Sequence, residues 1–219
     1  MPRIVIFANG EIPNPEAAHA LLREGDYLLA ADGGANHLYK MGILPNMVIG
    51  DLDSIDEEVL YQLTASEVEI VQYPENKDET DLELALRTSI EIGASSILIV
   101  GALGGRLDQT LASLSLLSDP MLARYQIRLD DGEQAAFFCR ESVAQPDQLE
   151  ILGRSGDTVS LIPWGGVVEG VATKGLKWTL YAESLYPGKT RGISNVMVDD
   201  KASVEISSGL LLVVHRRQA

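Results

Sequence analysis

"VIGDLDSIDEEV", residues 48–59, runs from an apolar stretch into two aspartates two residues apart and then into an acidic segment suited to a helix start. Buried strand, polar turn and helix, in that order, make the repeating unit of a parallel α/β sheet. The surrounding chain repeats it. The β-rich runs "RIVIF" (3–7), "YLLAA" (27–31), "MVIG" (47–50), "EVEIV" (67–71), "SILIV" (96–100) and "QIRL" (126–129) alternate with amphipathic segments. Those segments are "PEAAHALLREG", "GANHLYKMG", "DEEVLYQLTAS", "TDLELALRTSIEIG" and "RLDQTLASLSLL". Continuous apolar runs predict strands covered on both faces, and the helices between them predict right-handed crossovers.

Beyond about residue 135 the helical period disappears, and "AAFFC", "TVSLIP", "VVEGVAT", "SVEIS" and "LLLVVHR" follow, separated by turn signals such as "WGG", "YPGK" and "SSG". The expected fold class is α/β: an N-terminal open, mostly parallel sheet with flanking helices over residues 1–131, followed by a smaller all-β sandwich over 132–219. The two are expected to join near residues 131–148. An irregular extension of the sheet is the alternative for the second part.

With 219 residues, 46% of them hydrophobic, the chain has enough material for a substantial core. Its net charge of −15 argues against nucleic acid as a partner, because such a surface repels a phosphate backbone. The apolar run in "MPRIVIFANG" is too short for a signal peptide core or a membrane span. A cytoplasmic protein with no membrane association is expected. The single cysteine, Cys139, lies between apolar residues in "AAFFCRE", cannot form an internal disulfide, and is expected to pack as a small hydrophobe.

Ligands of an open parallel sheet bind beyond the carboxyl ends of its strands. The segments there are "ANG" (8–10), "DGGAN" (32–36), "GDLDS" (50–54), "YPENKDETD" (73–81) and "GALGGRLD" (101–108). If the chain stays extended through "GDLDS", Asp51 and Asp53 face the same side, roughly 6–7 Å apart. Two carboxylates facing one space need a cation or a proton, and Mg²⁺ is commonly held by one or two carboxylates together with substrate phosphates. The competing reading makes Asp53 or Asp56 a cap for the helix "DEEVLYQL", with Ser54 as another capping candidate.

"KDETDLELAL" also has two readings. Thr80 and Glu83 match a capping box, which puts Asp81 in the first helical turn. That leaves Asp78 unexplained and leaves Asp81 free to face the space shared by Asp51 and Asp53. Lys77 is a candidate phosphate contact or a plain surface lysine. In "GALGGRLDQTLASL", Gly104 and Gly105 let backbone N–H groups approach an anion, and Arg106 adds a fork of donors suited to phosphate. Asp108 either holds that guanidinium or the substrate, or is a solvated helix-start carboxylate. His19, His37 and His215 lack metal-ligand spacing, and there is no G-x-S-x-G elbow.

Taken together, "DGGAN", "GDLDSI", "KDETDLELAL", "GALGGRLDQTLASL", "GLKWTL" and "GISN" resemble the thiamine pyrophosphokinase (thiamine diphosphokinase) family, in order and over nearly the whole chain. The resemblance implies Mg²⁺-dependent transfer of a pyrophosphoryl group from ATP to thiamine, giving thiamine diphosphate and AMP. It also implies a homodimer with active sites between subunits. By motif, Asp51, Asp53 and Asp81 correspond to the metal-binding carboxylates, and Asp78 and Thr80 belong to the same loop. Arg106 and Asp108 come from the glycine turn facing the nucleotide, and Asp32, Gly33 and Asn36 line the nucleotide side. Trp178 matches an aromatic position beside the thiamine rings, and Ser194 and Asn195 match the thiamine-contacting pair. Two other classes compete: a metal-dependent nucleotide phosphohydrolase, and a nucleotide or thiamine sensor without turnover.

Overall fold

The structure, a computed structural model, describes residues 1–141 and 149–218. Of the expected joining region, residues 142–148 therefore lie outside the described residues. The chain divides into two compact units, Met1–Gly132 and Glu133–Ala219. No helix among the described residues is long and apolar enough to cross a membrane.

The first unit alternates strand and helix throughout: β1 (Arg3–Phe7), α1 (Pro15–His19), β2 (Tyr27–Ala31), α2 (Gly34–Lys40), β3 (Met47–Gly50), α3 (Glu57–Ala65), β4 (Glu69–Gln72), α4 (Asp81–Glu91), β5 (Ser96–Val100), α5 (Leu107–Leu117) and β6 (Gln126–Asp130). Its strands pair in parallel in the order β6-β5-β1-β2-β3-β4. From β1 the chain builds outward through β2, β3 and β4, then returns to the other side of β1 for β5. The order thus reverses between β1 and β5, the topological switch point at which such sheets open a crevice. Val5, Phe7, Ala30, Val48, Leu98 and Val100 from the strands pack against Leu38, Val59 and Leu63 from the helices. Fully burying a side chain such as Phe7 contributes about 1.5–3 kcal/mol.

The α4 start follows its sequence. The Thr80 hydroxyl accepts from Glu83 N at 3.2 Å, while Asp81 and Glu83 occupy the first turn, where the helix dipole favours anions. The α3 start does not. Asp56 holds the N-cap position without a side-chain cap bond, and its own N–H donates to Asn36 Oδ1 at 3.0 Å. Helix α1 is also shorter than "PEAAHALLREG" suggested, ending at His19. The fourth strand begins at Glu69 instead of residue 67, because Glu67 adopts φ 56 and Val68 N–H bonds back to Leu63 O, closing α3. As the edge strand, β4 is only partly covered, unlike β1, β3 and β5.

The second unit is all-β: β7 (Gln134–Arg140), β8 (Leu149–Leu152), β9 (Thr158–Pro163), β10 (Val168–Lys174), β11 (Glu183–Leu185), β12 (Asn195–Val196), β13 (Lys201–Glu205) and β14 (Leu210–Arg216). Antiparallel pairing joins β7, β14, β9 and β12 in one layer and β8, β13, β10 and β11 in another. The inward residues of both layers form one core, including Phe137, Val159, Leu161, Val171, Val204 and Leu211. Cys139 lies in this core, and burial pushes its thiol pKa up to about 11. The fold class is therefore α/β: a large, mostly parallel sheet with helices and a smaller antiparallel part, as the two sequence periods predict.

Candidate active site

At the switch point the loops after β1 and β5 touch backbone to backbone. Gly10 N donates to Gly101 O at 2.8 Å, and a Cβ added to Gly10 would stand 2.3 Å from that same oxygen. Beyond them opens a cleft of about 570 Å³, within the usual range for small-molecule sites. Its walls include Asp32, Asp51 and Asp53 from the ends of β2 and β3, and Lys77, Thr80 and Asp81 from the loop into α4. Gly104, Gly105 and Arg106 close the side toward α5.

The carboxylates converge because of the backbone. Asp32 has φ 47, and its N–H donates to Ile49 O at 2.7 Å, extending the β2–β3 ladder by one step. Gly50 lies alongside with φ 153, and a Cβ there would come within 2.8 Å of the Asp32 Cβ, so only glycine lets β3 end this close. Leu52 then turns the chain at φ 71. Asp51 and Asp53 are thus not spaced along an extended strand, as the sequence suggested; a tight turn folds them together. One carboxylate oxygen from each of Asp32, Asp51 and Asp53 lies within 4.8 Å of the other two.

Neighbouring groups hold this turn. Ser54 Oγ donates to Asp53 Oδ1 at 2.9 Å, so Ser54 supports the carboxylate and does not cap α3. Asn36 donates from Nδ2 to Ser54 O at 2.9 Å and accepts at Oδ1 from Asp56 N, bracing the turn from α2. Asn36 and Gly33 are not among the lining residues; a Cβ on Gly33 would collide with the Asn9 side chain, which does line the cleft.

Lys77 lies beside Asp51 and Asp81, 3.0 Å from Asp51 Oδ2 and 3.1 Å from Asp81 Oδ1. The Asp51 contact is a hydrogen bond, whereas the Asp81 contact is an ion pair outside hydrogen-bonding geometry. The Lys77 bond holds the Asp51 carboxyl below its usual range. Burial pushes Asp81 up against the pull of Lys77. Burial alone would lower Lys77, but its two carboxylate partners outweigh it and raise the ammonium's pKa.

Asp32 Oδ1 and Asp81 Oδ1 are buried and have no hydrogen-bond partner. Asp81 Oδ1 still has the Lys77 ammonium beside it, whereas Asp32 Oδ1 has neither hydrogen bond nor ion pair among the described residues. Such an oxygen among several carboxylates belongs to the donor set a hard divalent cation takes. The residues present fit such an ion, with Asp32, Asp51 and Asp53 as its nearest group. Asp32 was expected only on the nucleotide side. Its place beside Asp51 follows from β2–β3 adjacency, the one signal by which sequence reading would have found it.

At the cleft's outer edge, Arg106 makes a two-pronged pair with Asp108, at 3.1 and 2.6 Å. That partnership raises Arg106 and lowers Asp108 from their ordinary values. Asp108 itself does not line the cleft; neither does Asp78, which is exposed. Glu11, Glu75, Glu79, Gln109 and Ser113 line it without having been singled out from sequence.

In the second unit, Asn195 is almost fully buried. Its Oδ1 accepts from Trp178 N at 3.0 Å and from Val196 N at 2.9 Å, and its Nδ2 donates to Trp178 O at 2.7 Å. Trp178 is thereby fixed by its backbone while its ring stays half exposed, with Lys177 Nζ 4.9 Å from the ring centroid. Ser194 adopts φ 57 and donates its N–H to Ser160 Oγ at 3.0 Å.

The profile described as "Thiamin pyrophosphokinase, catalytic domain" matches residues 18–129, and "Thiamin pyrophosphokinase, vitamin B1 binding domain" matches residues 146–211. Thiamine pyrophosphokinase of Bacillus subtilis (strain 168) is 27% identical over 187 residues, covering 85% of each chain. Thiamine pyrophosphokinase 1 of Arabidopsis thaliana is 29% identical over 219 residues, covering 90% of this chain and 78% of that protein. The crystal structure of the Bacillus subtilis thiamine pyrophosphokinase superimposes with a TM-score of 0.86 at 25% identity, covering 99% of this chain and 100% of that one. The yeast thiamin pyrophosphokinase, at 20% identity and a TM-score of 0.77 over 98% of this chain and 86% of that one, shares the fold. With profiles matching both parts of the chain in order, this protein belongs to the thiamine pyrophosphokinase family.

Proposed function

We propose that this enzyme transfers the pyrophosphoryl group of ATP to the hydroxyethyl oxygen of thiamine, with Mg²⁺, giving thiamine diphosphate and AMP. In the overall reaction the thiamine oxygen bonds to the β-phosphorus, the bond from that phosphorus to the α,β-bridging oxygen breaks, and the hydroxyl proton is released. The carrying observation is the convergence of Asp32, Asp51 and Asp53 within 4.8 Å beyond the ends of β2 and β3, with a buried Asp32 oxygen that has no hydrogen-bond partner. Bound Mg²⁺ supplies neutralisation of phosphate charge, the main requirement of phosphoryl transfer besides positioning. Asp32, Asp51 and Asp53 would hold it, with Asp81 close by. Without it, the same carboxylates repel a triphosphate.

The chain's own groups do the rest. The Gly104–Gly105 turn brings backbone close to the anion, and Arg106 and Lys77 offer donors to phosphate oxygens. Trp178 offers an aromatic face to the cationic thiamine, and the Lys177 ammonium now at that ring is support for its taking a cation. Asn195 fixes Trp178 by its backbone, and Ser194 lies beside it. We also propose a homodimer; exposed Tyr181, Tyr186 and Ile193 give it apolar surface to cover, and sedimentation equilibrium tests it. A buried free Cys139 suits the reducing cytoplasm proposed as its location.

The test is one incubation of pure protein with ATP, thiamine and Mg²⁺. Equimolar AMP and thiamine diphosphate, lost on chelation, is the expected result. Phosphate release independent of thiamine would replace this reading with a phosphohydrolase, and binding without turnover would replace it with a sensor.

A further inference from the structure

We propose that Lys77 is a built-in counter-cation of the acidic cleft: its ammonium holds Asp51 and Asp81 while no divalent ion is bound, and leaves them when one binds. The inference rests on the reading of these carboxylates as metal ligands. Lys77 Nζ lies 3.0 Å from Asp51 Oδ2 and 3.1 Å from Asp81 Oδ1, and its side chain is only 11% exposed. This is unlike a surface lysine, whose head group stays in water. The other cationic residue lining the cleft, Arg106, is 72% exposed and paired with Asp108. Lys77 is therefore the cation placed inside the acidic group.

Asp51 is the residue that couples the two states. It contributes one ligand oxygen to the set with Asp32 and Asp53, and its Oδ2 accepts from Lys77. An ammonium and a divalent ion at one carboxylate repel each other strongly in a site partly withdrawn from water. The triad cannot reach full use of Asp51 while Lys77 keeps it. Lys77 and Asp81 are four residues apart, on the loop leading into α4 and its first turn. One short segment thus carries both the stand-in cation and one carboxylate it covers, and a four-carbon stem lets the ammonium withdraw without moving the helix. Four carboxylates, Asp32, Asp51, Asp53 and Asp81, against one ammonium still leave a deficit of positive charge. Lys77 tempers the empty site without satisfying it.

The experiment measures Mn²⁺ binding to the nucleotide-free protein, by the electron paramagnetic resonance signal of free Mn²⁺, for wild type, Lys77→Met, Lys77→Arg and Asp53→Asn. Two partly exposed ion pairs correspond to about a tenfold effect, so Lys77→Met should bind Mn²⁺ about tenfold more tightly than wild type. Lys77→Arg should stay near wild type, and Asp53→Asn should lose the site. Equal or weaker binding by Lys77→Met, with wild type still binding, overturns the counter-cation alone. Absence of saturable binding in every form overturns the metal reading and the counter-cation with it. A second measurement needs no folded variant: acetylation of Lys77 in wild type, followed by mass spectrometry, should rise several-fold on saturation with Mn²⁺, and unchanged or slower labelling overturns the displacement.

Discussion

Replacing Asp32 by Asn should make the metal-free protein more stable while removing its ability to hold a cation. Asp32 is 5% exposed, its Oδ1 has no hydrogen-bond partner, and it faces Asp51 and Asp53 within 4.8 Å. At that distance two like charges repel by about 3 kcal/mol at an effective dielectric of 20. Asp53 is exposed and Asp51 partly so, and solvent screening reduces the net to about 1–2 kcal/mol. An asparagine amide removes the charge and can turn a donor toward the two remaining carboxylates. It also tolerates the left-handed φ of 47 that Asp32 adopts, so the backbone need not move. For a chain of this size, 1 kcal/mol corresponds to about 2–4 °C, giving an expected rise of about 3–6 °C in Tm. The assay is thermal unfolding at neutral pH and low salt with a chelator, repeated at high salt, where the gain should shrink. Adding Mg²⁺ should then raise the Tm of wild type and leave Asp32→Asn unmoved. A lower Tm for Asp32→Asn in chelator would refute the charge argument.

Other consequences follow from packing. Gly34→Ala should cost about 3 kcal/mol, because its Cβ would lie 1.9 Å from Phe7 O and the first turn of α2 would have to lift from β1; a Tm within 2 °C of wild type would contradict this. Asn195→Ala leaves Trp178 N and O without their partner at a cost of about 2–3 kcal/mol, and should raise KM for thiamine while leaving KM for ATP unchanged; equal changes in both constants would show no specific hold on Trp178. Cys139, with its thiol pushed up to about 11 by burial, should be inert to a disulfide reagent at pH 8 until denaturant is added; rapid labelling of the folded protein would show the core there to be open.

The parts of this molecule legible in sequence were those set by local pattern. Apolar runs such as "RIVIF" and "SILIV" became buried strands because each satisfies one rule, burial on both faces, irrespective of what lies across the sheet. Thr80 capped α4 because the capping partner is three residues away. What depended on distant partners was hidden. Asp32 joins Asp51 and Asp53 only because β2 pairs with β3 and Gly50 admits the approach. Asp56 occupies the N-cap position of α3 as the sequence suggests, yet its side chain makes no cap bond, and the contact that fixes it is its N–H to Asn36 on another helix. The use of both ends of the Asn195 amide to hold the Trp178 backbone is likewise a pairing between distant residues that no local pattern marks.

Backbone strain and charge strain coincide at this cleft, and that coincidence bears on how it works. Leu52 at φ 71 is a non-glycine residue in the left-handed region, which costs of order 1 kcal/mol or more, and Asp32 at φ 47 shares that region at a smaller cost because aspartate enters it more readily. The reward for that strain, in the free protein, is the crowding of three carboxylates, which is itself unfavourable. No interaction within the described cleft offsets both costs: Lys77 reaches Asp51 and Asp81, while Asp32 Oδ1 stays without a hydrogen-bond partner. The compensation must come from the rest of the fold, chiefly the buried core of the parallel sheet, and from whatever cation binds. A ligand that binds only the folded form stabilises it in proportion to the logarithm of its concentration over its Kd. A site built at such expense is therefore preorganised for charge, and the cation entering it recovers stability that the empty cleft withholds.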